Sequence, residues 1–317
     1  EKPSIIQQRG ILPILSKNDA IIQAQSGTGK TGTFTIACLQ LIDETDPSTQ
    51  VLILAPTREL AQQIYNVATG IGGHLNLNIH SCIGGTDVRS AAESLRNGAQ
   101  FVIGTPGRVV DMLGQNAFNL KKAKIFVLDE ADEMLSSGFK EQIQQIFSSL
   151  PPEIQVVLCS ATMPPEILDL SNKFMRNPKT VLVKREELTL DGIKQFWVPV
   201  EADKLKFDLL LDLYSRLTIS QAIIFVNTRR RAYYLDQRLK EQDFAVSCLH
   251  GGEMSAKERH DVLDEFRRGN TRVLIATDLI ARGIDVQQVN IVINYDIPSN
   301  KENYLHRISR SSRLGKK

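Results

Sequence analysis

The residues with the clearest chemical capacity fall in two short clusters. The first is Ala24-Gln25-Ser26-Gly27-Thr28-Gly29-Lys30-Thr31. Gly27 and Gly29 place no side chain between backbone N–H groups and a phosphate oxygen, and a helix beginning just after them adds its positive end. Lys30 has the charge and reach for β- and γ-phosphates, and the Thr31 hydroxyl is a ligand of the kind Mg2+ accepts. Ala24 stands where the general phosphate-loop pattern has its first glycine. The second cluster is Asp129-Glu130-Ala131-Asp132, directly after the apolar run Ile125-Phe126-Val127-Leu128. There Asp129 can hold Mg2+ through water, and Glu130 can polarise an attacking water as general base. Taken alone, an acidic run after a strand is more often a cap and a solvated helix start. The phosphate loop upstream decides for the catalytic reading.

Such clusters need elements that hold them. Apolar, β-branched runs at 20–24, 51–55, 101–104, 125–128, 156–160 and 180–183 read as strands buried on both faces of a parallel sheet. Stretches at 33–41, 59–69 and 139–150 have helical spacing and the length of crossovers. Residues 184–194 are polar and read as a linker, after which the pattern restarts with strands at 195–200, 222–226, 246–249, 273–276 and 291–294. The fold class expected is α/β, with tandem parallel-sheet domains at 1–183 and 195–317. A length of 317 residues agrees with two domains. Phe126, Phe139, Phe147, Phe174 and Phe196 sit in strand or amphipathic settings and read as core, and Cys159 reads as packing inside a strand.

Composition narrows the class further. With 42% hydrophobic and 23% charged residues, the chain is ordinary globular protein, which excludes a disordered chain, a collagen-like repeat and a coiled coil. No apolar run approaches the roughly 18 residues of a membrane-spanning helix. The four cysteines, 38, 82, 159 and 248, form no CxxC pair; this argues against zinc or a disulfide scaffold and for a reducing, intracellular setting. The N-terminus has no basic-then-apolar order, so no signal peptide is read there. Residues 1–183 carry 15 Lys and Arg against 17 Asp and Glu, and residues 184–317 carry 23 against 19. Neither half is a bulk polycation, so phosphate binding must come from local placement.

The clusters and the runs around them resemble the DEAD-box RNA helicases, which Asp129-Glu130-Ala131-Asp132 spells. Further motifs follow in family order: Pro3-Ser4-Ile5-Ile6-Gln7, Pro56-Thr57-Arg58-Glu59-Leu60, Gly84-Gly85, Thr105-Pro106-Gly107-Arg108 and Ser160-Ala161-Thr162. The second half adds Ile224 to Thr228, Ala276-Thr277-Asp278 through Asp285, and His306-Arg307-Ile308 to Arg313. Residues 126–138, 186–190 and 283–292 look most like the translation-initiation branch of that family, with its exon-junction branch close. The resemblance implies two RecA-like domains of the P-loop NTPase fold, ATP and Mg2+ as cofactors, and RNA as partner. It assigns ATP to Gln7, Ala24, Gln25, Ser26, Gly27, Thr28, Gly29, Lys30, Thr31 and Asp285, with Gln7 on adenine and Asp285 on ribose. Catalysis falls to Lys30, Asp129, Glu130 and the arginine fingers Arg310 and Arg313. The RNA backbone falls to Arg58, Gly85, Thr105, Arg108 and Thr277; such contacts carry no base code. Asp132, Ser160, Thr162 and His306 are assigned to coupling between the domains.

The implied activity is RNA-stimulated ATP hydrolysis driving local duplex unwinding in translation initiation. A cytoplasmic, monomeric protein follows, with nuclear residence open and a regulatory scaffold of the initiation-factor 4G kind as partner. Two departures from the family pattern support an alternative, an ATP-dependent RNA clamp with weak hydrolysis: Ser309 and Ser312 replace glycines, and Ala256 replaces a glutamine beside a stretch with one extra residue. Both ends also stop inside the family's pattern, which would leave the second domain truncated.

Overall fold

The computed structural model describes residues 2–24, 27–136, 138–182, 194–250, 254–278, 289–299 and 301–308, with the side chains of 136, 256, 301, 302, 305 and 306 left aside. The chain divides into two compact units, Glu1–Leu188 and Thr189–Lys317.

In the first unit, seven strands form one sheet: β1 (Ala20–Gln23), β2 (Val51–Leu54), β3 (Ile79–Cys82), β4 (Phe101–Gly104), β5 (Ile125–Leu128), β6 (Gln155–Ser160) and β7 (Lys179–Leu182). Their order is β3-β4-β2-β5-β6-β1-β7, and every pairing is parallel. Strands β2, β4 and β5 are buried at every residue, as two covered faces require. Alternate residues serve opposite faces. Leu52, Leu54, Phe126 and Leu128 join one apolar cluster, and Val51, Ile53, Ile125 and Val127 join another. Helices α1 (Ile5–Leu15), α2 (Lys30–Leu41) and α3 (Arg58–Gly72) cover the second cluster. On the first lie α4 (Val88–Arg96), α5 (Pro106–Gly114), α6 (Ala131–Ser136), α7 (Lys140–Phe147) and α8 (Pro165–Phe174).

Asp19 closes the N-terminal edge of this sheet. Although buried, its carboxylate accepts the backbone N–H of Val156 at 2.8 Å and of Arg176 at 2.5 Å, and its carbonyl accepts from Lys179 at 2.7 Å. One side chain thus ties β1 to β6 and to the turn before β7.

The second unit repeats the plan at smaller scale. After a 3-10 turn (Asp203–Leu205) come α9 (Lys206–Arg216), β8 (Ala222–Phe225), α10 (Arg229–Lys240), β9 (Val246–Leu249), α11 (Ala256–Arg267), β10 (Val273–Ala276), β11 (Ile291–Asn294) and α12 (Lys301–Ile308). The strand order is β11-β8-β10-β9, again all parallel. Helices α9 and α10 pack on one face, and α11 on the other.

The sheets therefore bear out the expected α/β class, with two differences. Strand β3 is additional to the sequence reading: Ile79-His80-Ser81-Cys82 is half polar because it is an edge strand with a single neighbour. Conversely, 195–200 is no strand. It makes no strand pairing among the described residues, and Phe196 and Trp197 are 86% and 84% exposed, so Phe196 is not core. Phe126 and Phe147 are buried, and Phe139 and Phe174 pack partly against the same cluster. Most of the 184–194 linker, and Val183, lie outside the described residues.

Asp19→Ala strands the buried N–H of Val156 and the partly buried one of Arg176, and is expected to lower stability by about 2–3 kcal/mol in urea unfolding of the full chain. Asp19→Asn, which keeps one acceptor, should lose less.

Candidate active site

Parallel sheets present their loops for chemistry at the C-terminal ends of the strands. In the first unit, the phosphate loop follows β1, Arg58 follows β2, Gly84-Gly85 follows β3, Thr105 to Arg108 follows β4, the acidic tetrad follows β5, and Ser160 ends β6. One edge of one sheet thus collects six of the sequence motifs.

At β1 the chain turns through Gly27 (φ 83°) and Gly29 (φ 102°) before α2 begins at Lys30. A side chain at Gly29 would be strained by that φ and would also meet Ser4 Oγ at 2.9 Å and Gln7 Nε2 at 3.1 Å. Gln7 therefore lies against the phosphate loop. It also closes a capping box on α1: its Oε1 accepts the Ser4 N–H at 2.8 Å, and Ser4 Oγ accepts the Gln7 N–H at 3.4 Å. Thr28 and Thr31 sit on the loop and first helical turn; Gln25 and Ser26 lie outside the described residues.

Lys30 is 4% exposed and donates to the Ala24 carbonyl at 2.7 Å and to Glu130 Oε1 at 3.3 Å. Burial pulls the Lys30 pKa down, but Glu130, Asp129, the Cys159 thiol and Asp132 outweigh it and leave the ammonium raised above its ordinary value. Asp129 moves the other way from a usual carboxylate. Burial, then the charge of Glu130, pushes it up to about 7, against the pull of Lys30 and of the Glu130 N–H, which donates to its Oδ1 at 3.0 Å. Glu130 itself sits at φ 50°, a left-handed conformation that costs a non-glycine residue energy and turns its side chain off the strand direction. Cys159, buried in β6, has its thiol held well above the ordinary range by burial. It is packing, as read, and not a nucleophile.

Two further clusters extend along the edge. Asp132 Oδ2 accepts from the Thr162 N–H at 3.1 Å and hydroxyl at 2.7 Å, and the Ser160 hydroxyl donates to the Thr162 carbonyl at 2.6 Å. These three residues, assigned to coupling, are joined to one another within the first unit. Beyond β2, the Arg58 guanidinium lies so close over Gly84 that a Cβ there would meet its Nη2 at 2.8 Å. Gly85 adopts φ 89°, and Arg108 Nη2 donates to the Thr86 carbonyl at 3.3 Å, while its Nη1 is buried without a hydrogen-bond partner. Thr105 caps α5 without using its side chain. Arg58, Gly85, Thr105 and Arg108 thus stand on the ends of three neighbouring strands.

In the second unit, Thr277 follows β10, and its N–H donates to the Leu249 carbonyl at the end of β9. Asp285, Arg310 and Arg313 lie outside the described residues, as do Ser309 and Ser312, and the His306 and Ala256 side chains are not described. The sequence reading missed the centre of this edge, Arg307, which is 1% exposed. Its Nε and Nη2 grip Asp278 at 2.5 and 2.9 Å. Its Nη1 reaches Asn294 Oδ1 at 3.2 Å and the Asp296 carbonyl at 2.6 Å, and Nη2 also reaches Asn227 Oδ1 at 2.7 Å. The ends of β8, β10 and β11 are all fastened to one guanidinium. The available signal was the pairing of an arginine with an aspartate in consecutive motifs, which only a three-dimensional neighbourhood resolves.

The comparisons agree with this geometry. Residues 4–170 match the DEAD/DEAH box helicase model, and residues 205–315 match the helicase conserved C-terminal domain. The chain belongs to the DEAD/DEAH box helicase family. It is 57% identical over 317 residues to eukaryotic initiation factor 4A of Caenorhabditis elegans, covering all of this chain and 79% of that protein. It is 58% identical to the ATP-dependent RNA helicase eIF4A of Scheffersomyces stipitis, covering all of this chain and 80% of the relative. Among solved structures, S. cerevisiae Dbp5 bound to RNA and ADP BeF3 matches with a TM-score of 0.90 at 37% identity, covering all of this chain and 82% of that one. As a member of this family the chain is an ATP-dependent helicase, and its two sheets are the family's tandem RecA-like domains.

Two outcomes follow from the helicase's buried charges. Because the Asp129 pKa lies above its unfolded value of 3.8, the ionised form is disfavoured by folding. Asp129 therefore contributes a loss of stability to the nucleotide-free protein as pH rises from about 4 to about 7, and that contribution is flat above it. Asp129→Asn keeps the acceptor for the Glu130 N–H. It is expected to stabilise the nucleotide-free helicase at pH 8 by on the order of 1 kcal/mol or more and to have little effect at pH 4, as thermal melts at both values will read. Arg307→Lys cannot reproduce five fork-shaped contacts and is expected to cost the second domain about 3–5 kcal/mol, measured by urea unfolding.

Proposed function

We propose that the helicase acts on RNA in translation initiation, using ATP hydrolysis to separate short duplexes locally. The observation that supports this reading most is the shared sheet edge. The phosphate loop with its acidic partners stands on β1 and β5, and Arg58, Thr105 and Arg108 stand beside it on β2 and β4. A nucleotide group and an RNA-backbone group are thus mounted on one rigid element, so strain at one is felt at the other.

In this reading Lys30 releases Glu130 and takes the β- and γ-phosphates, and Glu130 accepts the proton of the attacking water. Gln7 reads adenine with both amide atoms, which requires its Oε1 to leave the Ser4 N–H. Thr31 and Asp129 fit Mg2+: both offer hard oxygen donors, and the raised Asp129 pKa marks a carboxylate short of neighbouring positive charge. Bound there, Mg2+ would neutralise phosphate charge. Arg58, Gly85, Thr105, Arg108 and Thr277 hold RNA phosphates and sugars without reading bases. Asp285, Arg310, Arg313 and His306 keep the roles the family resemblance gives them, and residues 184–194 serve as the hinge between domains 1–183 and 195–317. A monomer regulated by a scaffold of the initiation-factor 4G kind, working in the cytoplasm, completes the reading.

ATP turnover measured with and without single-stranded RNA tests it. RNA should raise kcat/KM for ATP severalfold or more, and equal rates would sink the coupling. Glu130→Gln should lower kcat by about 100-fold or more while nucleotide binding survives.

A further inference from the structure

Helix α10 leaves the C-terminal end of β8 with Arg229-Arg230-Arg231 in its first turn and no acidic residue there. Arg231 bonds Asp203, at 2.5 and 2.6 Å, and lies near Asp296; Arg229 and Arg230 are exposed. Two tyrosines follow one turn later, and they have different fates. Tyr234 accepts a hydrogen bond from Arg238 Nη1 at 2.9 Å, and that arginine lies 4.1 Å over the Phe207 ring. The Tyr234 hydroxyl is thus tied to an arginine that packs on α9, while 42% of the residue is exposed. Tyr233 instead meets the ring of His250. Its ring centroid is 4.6 Å from that of His250, tilted by 58°, and yet 46% of the residue is exposed. His250, which props it, is itself buried at the end of β9.

We propose that Tyr233, braced by His250 and flanked by Arg229, is a stacking platform for one unpaired base of single-stranded RNA. The inference rests on the RNA-binding reading above and adds to it a base contact where the other groups hold only backbone. Three observations carry it. An exposed tyrosine fixed by a buried ring loses little side-chain freedom on binding, which is what a stacking surface needs. Arg229 precedes Tyr233 by four residues, on the same face of the helix, so positive charge for the adjacent phosphate accompanies the ring. The platform also continues the edge already assigned to RNA, because the Thr277 N–H donates to the carbonyl of Leu249, the residue before His250. Stacking accepts every base, so binding stays free of a base code but depends on a base being present.

Fluorescence anisotropy of the full chain tests this, with a non-hydrolysable ATP analogue and a labelled single-stranded RNA carrying one abasic site at each position in turn. Tyr233→Ala is expected to weaken binding of the base-bearing RNA by about 5- to 20-fold, and Tyr233→Phe to bind as the wild type does. At one register, an abasic site should cost the wild type a similar factor and cost Tyr233→Ala nothing further. If Tyr233→Ala binds as tightly as the wild type, or loses equally at every abasic register, stacking is overturned while the RNA-binding reading stands. If the wild type retains no RNA with the nucleotide analogue, the RNA-binding reading fails and takes this inference with it.

Discussion

Lys30, Asp129, Glu130 and Asp132 are buried together at the end of a sheet whose strands are packed on both faces. Carboxylates removed from water are costly unless matched by positive charge. Here Lys30 meets Glu130 directly and draws on Asp129 through space, yet Asp129 remains pushed up to about 7. The imbalance is tolerated because the parallel sheet fixes the backbone beneath it and Glu130 is held at φ 50° by its surroundings. An under-compensated acidic group beside a glycine-shaped anion cradle has a use only when a polyphosphate and a cation arrive together. The geometry of the first domain depends on keeping that cluster buried and incomplete.

The second domain has a buried ionic centre of the opposite character. Arg307 finds five acceptors for its five donors and is saturated by protein. It fastens Asn227, Asp278 and Asn294, and so the ends of β8, β10 and β11, into one unit. One domain thus buries an acidic excess at its sheet edge, and the other uses its buried charge for rigidity at the edge that carries Thr277, His250 and Tyr233.

Much of this was legible in the sequence, for reasons that differ by element. The loop 24–31 and the tetrad at 129–132 were readable because phosphate and cation chemistry demands particular residue types at fixed spacing. Strands such as Val51–Leu54 and Ile125–Leu128 were readable because burial on both faces leaves no polar position. Strand Ile79–Cys82 was not, since an edge strand keeps polar residues and loses the all-apolar signature. The stretch 195–200 misled in the opposite direction. Its aromatic and β-branched residues resemble a strand, but Pro199 has no N–H to offer, and a strand exists only where a neighbour satisfies its backbone. Arg307 was seen as part of a motif but given no task, because its partner Asn227 lies 80 residues away. Tyr233 was invisible, since only the ring of His250 distinguishes it from the neighbouring Tyr234.

The central claim, that burial leaves Asp129 raised and short of positive charge until a cation and phosphate arrive, is tested most directly by the proton balance of nucleotide binding. Calorimetric titration of preformed Mg-ADP at pH 7, repeated in buffers of different ionisation enthalpy, reads the protons exchanged. The account predicts a net release of protons on binding, lost in Asp129→Asn. A binding heat that does not change with buffer, or a release that persists in Asp129→Asn, would contradict it.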